Sequence, residues 1–99
     1  MIRVSVLYAK KEDYVFDHNY YSEKHMPLVV SKHAPFGLLS TSVDKTATND
    51  EPFVCIGYMT FESLINWQEG FAAVGGELVD DVKNYTNLEP IIQVSEIVS

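Results

Sequence analysis

Residues 53–61, Phe-Val-Cys-Ile-Gly-Tyr-Met-Thr-Phe, are the stretch that decides the fold of this 99-residue chain. Apolar side chains occur on both sides of the alternating pattern, so a strand here is hydrophobic on both faces. Such a strand is buried on two sides, which is typical of the interior of a sheet. We therefore predict that residues 53–61 form a central strand.

Three further strands and two helices are predicted before and after this strand in the sequence. Residues 2–8 alternate as a strand, residues 38–45 form another, residues 46–52 a polar loop, and residues 91–98 a last strand after Pro90. A first helix is predicted from Asp17 to about Lys32, where Pro27 makes it kink or restart. A second helix begins at Ser63. Gly75-Gly76 is predicted to break it, with one or two further turns over residues 77–82.

The order of these elements, β-α-β-β-α-β, predicts one α+β domain over residues 1–99. It is the ferredoxin-like arrangement, a four-stranded antiparallel sheet with both helices on one face. The other face has no cover within the chain, although the central and last strands carry apolar side chains there as well. We therefore predict a homodimer in which two sheets pack face to face.

Charge, cysteine content and hydropathy argue against several kinds of partner, site and location. The formal net charge of −7 argues against nucleic acid and against an anionic membrane surface. A single cysteine, Cys55, excludes an internal disulfide and a site with several thiolates. The first residues lack the apolar region of a signal peptide, and no run approaches the length of a membrane span, so we expect a cytoplasmic protein.

The start of the first helix carries the residues of greatest chemical interest. Asp17 is placed as the N-cap, with Phe16 and Tyr21 as a hydrophobic staple. His25 and Leu28 follow Tyr21 by four and seven residues, so they share its face and point toward the protein. An imidazole is therefore expected to face inward.

Two motifs resemble the EthD family within the dimeric α/β-barrel superfamily. They are Phe16-Asp17-x-x-Tyr20-Tyr21-x3-His25-Met26-Pro27-Leu28, and Asn84-Tyr85-Thr86 with Pro90-x2-Gln93-x-Ser95-Glu96-Ile97. The resemblance implies a ferredoxin-like protomer that joins its mate in a barrel, with a pocket between sheet and helices. The name of the family comes from a protein associated with ethyl tert-butyl ether degradation beside a cytochrome P450 system. Related members look like decarboxylases or dehydratases, and neighbouring families include isomerases, monooxygenases and haem-handling proteins.

His25 is the leading catalytic candidate, because an imidazole can exchange a proton near neutral pH. Tyr21, one turn away, is a weaker one. Each also has a structural interpretation, His25 as a core histidine and Tyr21 as the staple alone. The candidate substrate-binding residues are Tyr8, Tyr20, Phe61, Trp67, Asn84, Tyr85 and Gln93. The aromatic ones could equally be core, Asn84 a turn residue and Gln93 a contact with a dimer mate.

These residues favour an enzyme without a cofactor that acts on a small, apolar, oxygenated or aromatic molecule. One imidazole and a few hydroxyls suit lyase or isomerase chemistry better than hydrolysis. The alternatives are a non-catalytic binding or accessory protein of an oxidative degradation pathway, and haem binding through His25. No metal site is expected, because His18, His25 and His33 are spaced seven and eight residues apart.

Overall fold

The computed structural model describes residues 1–99 and contains one antiparallel sheet in the strand order β2-β3-β1-β4. The strands are β1 (Ile2–Ala9), β2 (Leu38–Lys45), β3 (Phe53–Phe61) and β4 (Ile91–Glu96). The strand β3 is interior, as its two apolar faces predict. The strand order and the two helices confirm the ferredoxin-like α+β fold.

One face of the sheet carries the core. Pairing between β1 and β3 puts Val4 opposite Met59 and Tyr8 opposite Cys55, and all four side chains are buried. Alternate residues of a strand point to the same face, so this register builds a continuous apolar surface beneath the helices.

The first helix spans residues 18–33 in three segments: α-helical His18–Tyr20, π-helical Tyr21–His25 and α-helical Met26–His33. The Asp17 carboxylate accepts a hydrogen bond of 3.0 Å from the Tyr20 N–H, and the Phe16 and Tyr21 rings lie 5.4 Å apart, which confirms the cap and the staple. In the π-helical turn, the Met26 N–H bonds the Tyr21 carbonyl five residues back. Pro27 thus lies in the first turn of the α-helical segment that follows, a position that tolerates a residue without an N–H.

The second helix, Leu64–Asp81, begins at the Ser63 cap and runs without interruption through Gly75 and Gly76. The predicted break there is therefore wrong. Each glycine costs only about 1 kcal/mol of helix propensity, which flanking contacts can outweigh. The Lys32–Glu77 ion pair of 2.9 Å links the two helices on their outer side.

The chain closes with a short 3-10 turn, Val82–Asn84, and with β4, which ends at Glu96 rather than at the predicted Val98. The Val98 side chain is 89% exposed and has no strand partner to hold it. Neither helix has the length and apolar character that crossing a membrane would require.

The second face of the sheet is not covered by either helix. Leu7 of β1 lies between Ile56 of β3 and Ile91 of β4 on this face. Ile91 is 53% exposed. Hydrophobic side chains on three adjacent strands therefore form an apolar strip, which we call the open-face strip.

Candidate functional site

A cavity of about 60 Å³ lies between the core face of the sheet and the two helices. Thirteen of its eighteen lining residues are hydrophobic, so the cavity suits an apolar guest. Its floor includes Met59, and its roof includes Val29 and Leu78. Phe71, Val79 and Ile92 line it and are exposed, so we place its mouth between the second helix and β4.

His25 lines this cavity and is held by Asp81 from the end of the second helix. The His25 Nδ1 atom lies 2.9 Å from Asp81 Oδ2, and the imidazole is 5% exposed. The other carboxylate oxygen, Asp81 Oδ1, accepts hydrogen bonds from the Tyr20 hydroxyl at 2.8 Å and from Asn84 Nδ2 at 2.9 Å. Asp81 is thus fixed from three sides.

These contacts determine the charge of Asp81. Desolvation alone would raise its pKa, but the hydrogen bonds from Asn84, His25 and Tyr20 outweigh that effect and hold the pKa of the carboxyl below its ordinary value. An ionised carboxylate only accepts hydrogen bonds, so the proton between the two groups belongs on His25 Nδ1. In the neutral ring, Nε2 then carries the free lone pair.

Two tyrosines pack against the imidazole, and a third contacts both of them. The Tyr21 ring stacks on His25 with centroids 5.3 Å apart, and the Tyr85 ring lies 4.8 Å away. The hydroxyls of Tyr8 and Tyr85 are 2.6 Å apart. Burial raises the pKa of all three phenols, so they remain protonated donors.

The two sequence motifs meet in space at this cluster. The Asp17 N–H donates to the Tyr85 carbonyl at 2.8 Å, and the Thr86 hydroxyl donates to the Val15 carbonyl at 2.6 Å. The loop before β4 is thereby tied to the start of the first helix, which delivers Tyr85 to the face of His25.

The sequence-predicted site residues fall into three groups. Tyr8, Tyr21, His25 and Trp67 line the cavity. Tyr20, Asn84 and Tyr85 do not line it. The first two donate hydrogen bonds to Asp81, and the Tyr85 ring packs against His25 itself. Phe61 is fully buried beneath Trp67, and Gln93 pairs opposite Ser5 on the uncovered face of the sheet, away from the cavity.

The structure separates the two adjacent tyrosines, which the sequence alone leaves ambiguous. Tyr21 is both the staple partner of Phe16 and a wall of the cavity. Tyr20 points to Asp81 instead. The π-helical turn occupies Tyr21–His25, and such turns occur frequently at functional sites.

Sequence reasoning missed Asp81. One signal was available: Asp80 and Asp81 end the second helix, where a negative charge opposes the helix dipole. An acidic residue in an unfavourable position indicates a partner elsewhere in the fold. No group of three or more His, Cys, Asp and Glu side chains comes together in the structure to hold a metal ion.

Gly57 makes room for Tyr21 and yields a stability prediction. A Cβ atom at position 57 would overlap the Tyr21 hydroxyl, and Tyr21 is 2% exposed, so its ring has little room to move. We expect Gly57→Ala to lower the free energy of unfolding by about 1–3 kcal/mol, the usual effect of overpacking a core. Urea denaturation followed by circular dichroism measures it.

Gly76→Ala is the control for this prediction. A Cβ atom at Gly76 meets nothing within 4 Å, and the residue lies inside the second helix. This variant should gain up to about 1 kcal/mol from helix propensity. Equal stability of the two variants would contradict the close packing of Tyr21 on Gly57.

Comparison with known proteins gives a family. No protein-family profile matches the chain, and no curated protein sequence matches it significantly. Among solved structures, an EthD-like protein from Ralstonia eutropha JMP134 is 32% identical with a TM-score of 0.88, covering 99% of this chain and 92% of that one. An ethyl tert-butyl ether degradation (EthD) family protein from Bacillus halodurans C-125 is 17% identical with a TM-score of 0.70, covering 99% of each chain. A dimeric ferredoxin-like protein from an uncultured marine organism is 13% identical with a TM-score of 0.61, covering 100% of this chain and 96% of that one.

The last two similarities show the fold alone. The similarity to the Ralstonia protein shows the family as well as the fold, because the identity of 32% extends over nearly the full length of both chains. On that similarity, the chain belongs to the EthD-like family.

Proposed function

We propose that this protein binds a small, largely apolar, oxygenated or aromatic molecule in the cavity and converts it with His25 as general acid and base. The observation that carries this proposal is the 2.9 Å contact of His25 Nδ1 with Asp81 Oδ2 at the wall of an apolar cavity. It leaves Nε2 as the ring nitrogen available to a guest. A base oriented by a carboxylate is an arrangement that supports proton transfer.

The chemistry follows from the groups present. His25 Nε2 takes a proton from a carbon next to a carbonyl, and Asp81 stabilises the imidazolium. In an isomerisation the proton returns to another carbon of the same molecule. In an elimination the proton goes to a β-hydroxyl as its C–O bond breaks, and water leaves. In this proposal the phenol of Tyr21, which lines the cavity and stays protonated, donates to the developing oxyanion. The outcome is isomerisation or elimination without a cofactor.

Hydrolysis through a cysteine nucleophile is not supported. Cys55 is the only cysteine and is 1% exposed. Burial raises the pKa of its thiol to about 12, so the nucleophilic thiolate does not form near neutral pH.

A substrate panel tests the proposal. Purified protein is incubated with aromatic β-hydroxy ketones and β,γ-unsaturated ketones, and products are followed by mass spectrometry. For any substrate that turns over, we expect product formation to depend on the imidazole of His25. Turnover at the wild-type rate in a folded variant without that imidazole would remove His25 as the acid and base.

The alternative is a binding or accessory protein of an oxidative pathway. The hydrogen bond between the hydroxyls of Tyr8 and Tyr85 favours it, because two phenols that satisfy each other are less available to a reacting group. Saturable binding of panel compounds without any product would support this function. Haem binding through His25 is a second alternative. A Soret band of haemin that neither shifts nor sharpens when the protein is added, or that changes equally with His25→Ala, would exclude it.

We also propose that the protein is a homodimer formed through the open-face strip. The strip leaves Leu7, Ile56 and Ile91 without an intramolecular cover, and a ferredoxin-like structural neighbour is described as dimeric. A cytoplasmic location remains a prediction.

Sedimentation velocity of the full chain tests the dimer. We expect twice the monomer mass at micromolar concentration, and we expect Leu7→Lys to dissociate it because a charge would be buried between the sheets. Val98→Lys, at an exposed position outside the sheet, is the control and should remain dimeric. A wild-type monomer at every concentration would contradict this assembly.

A further inference from the structure

His33 lies at the far end of the cavity from His25 and has no hydrogen-bond partner. The residue is 1% exposed, and neither Nδ1 nor Nε2 bonds to any group of the protein. Its ring stacks on Trp67 with centroids 5.8 Å apart and meets Phe61 edge-on at 5.5 Å. Buried polar side chains are nearly always paired, so this unpaired imidazole in a cavity wall calls for a partner.

The packing around His33 restricts where that partner can be. A Cβ atom built at Gly70 of the second helix would lie 2.8 Å from His33 Nδ1, so the Nδ1 edge of the ring is closed by the helix backbone. Nε2 is also enclosed, but the helix backbone does not block its side of the ring and His33 lines the cavity, so a guest can reach Nε2 where the cavity widens. Burial lowers the pKa of His33, so the neutral ring offers one N–H or one lone pair and favours an uncharged group over a carboxylate.

The two imidazoles line different parts of the same apolar cavity. His25 is eight residues before His33, and an α-helix rises about 1.5 Å per residue, so they are about 12 Å apart along the helix axis. Val29 and Met59 line the cavity with them. The enclosed volume of about 60 Å³ is smaller than a guest that spans this distance, so its binding requires the exposed side chain of Phe71 at the mouth to move aside.

We propose that the ligand is an elongated molecule with an apolar middle and an uncharged oxygen at each end, one bonded at His25 and the other at His33 Nε2. The proposal rests on the proposed function and adds the shape and polarity of the ligand to it. His33 then acts as a binding residue that selects for length and for the second oxygen.

Two biphenyl probes test this proposal by titration calorimetry. One, para-hydroxybiphenyl, has a single hydroxyl, and the other, para,para′-dihydroxybiphenyl, has one at each end. We expect the diol to bind wild-type protein at least about fivefold more tightly, the effect of one net hydrogen bond to a buried group. His33→Leu should remove this preference, whereas His33→Gln, which keeps a hydrogen-bonding group, should retain part of it.

The outcomes separate the two proposals. Equal affinity of the two probes for wild-type protein, or a preference that survives in folded His33→Leu, would overturn the role of His33 and leave the proposed function in place. Failure of both probes to bind would count against the proposed function and against this inference with it. If His33→Leu does not fold, a crystal structure of wild-type protein with the diol decides, and a hydroxyl on His33 Nε2 is the expected result. A water molecule in that place, with the diol bound elsewhere, would overturn it.

Discussion

Replacing His25 by Asn should lower turnover by about 10²- to 10⁴-fold, the usual contribution of a general acid and base, while ligands still bind. The Asn amide takes the position of the imidazole Nδ1 and can still donate to Asp81 Oδ2, but nothing replaces Nε2. The side chain loses the Nε2 and Cε1 atoms, which leaves slightly more space for a guest and removes the nitrogen that exchanges the proton. Steady-state kinetics with an active panel compound measures the first effect, and calorimetry measures the second.

His18→Asn is the matched control for this variant. His18 begins the same helix, packs against Phe16 and does not line the cavity. Its replacement should leave turnover within a small factor of wild type. Full activity of His25→Asn would assign the chemistry to another group and favour a structural role for His25.

The elements of this fold could be predicted because their signals are local. Asp17 and Ser63 cap helices through contacts with residues three positions away, and the two apolar faces of residues 53–61 require an interior strand. Gly75-Gly76 shows the limit of local signals. Two adjacent glycines favour a helix break, but the helical residues on both sides of them keep the helix continuous.

The site could be predicted only in part, because it is assembled from distant segments. His25 and Tyr21 share one helix face and are visible in the sequence. Asp81 is 56 residues from His25 and comes close only when the second helix packs beside the first. The unpaired nitrogens of His33 likewise depend on the position of Gly70 in the other helix.

Replacing Asp81 by Asn should also lower turnover by about 10²- to 10⁴-fold, although Asp81 lies behind the imidazole. The equivalent substitution in serine proteases fixes the histidine in the wrong tautomer, and its effect on turnover is at the upper end of this range. The hydroxyl of Tyr20 and the amide of Asn84 donate to Asp81 Oδ1, so they hold an oxygen there. The new amide nitrogen then faces His25 and donates to Nδ1. The ring proton must move to Nε2, which can no longer act as a base.

Asp80→Asn separates this effect from a loss of charge. Asp80 is exposed and adjacent, so its replacement changes the net charge equally without touching His25, and we expect nearly wild-type turnover. Nitrogen NMR of the His25 ring adds a readout that does not depend on a substrate. It should report a proton on Nδ1 in wild-type protein and in Asp80→Asn, and on Nε2 in Asp81→Asn. A proton on Nδ1 in all three would mean that Asp81 holds the position of the imidazole without selecting its tautomer, and the predicted loss of turnover would then have no basis.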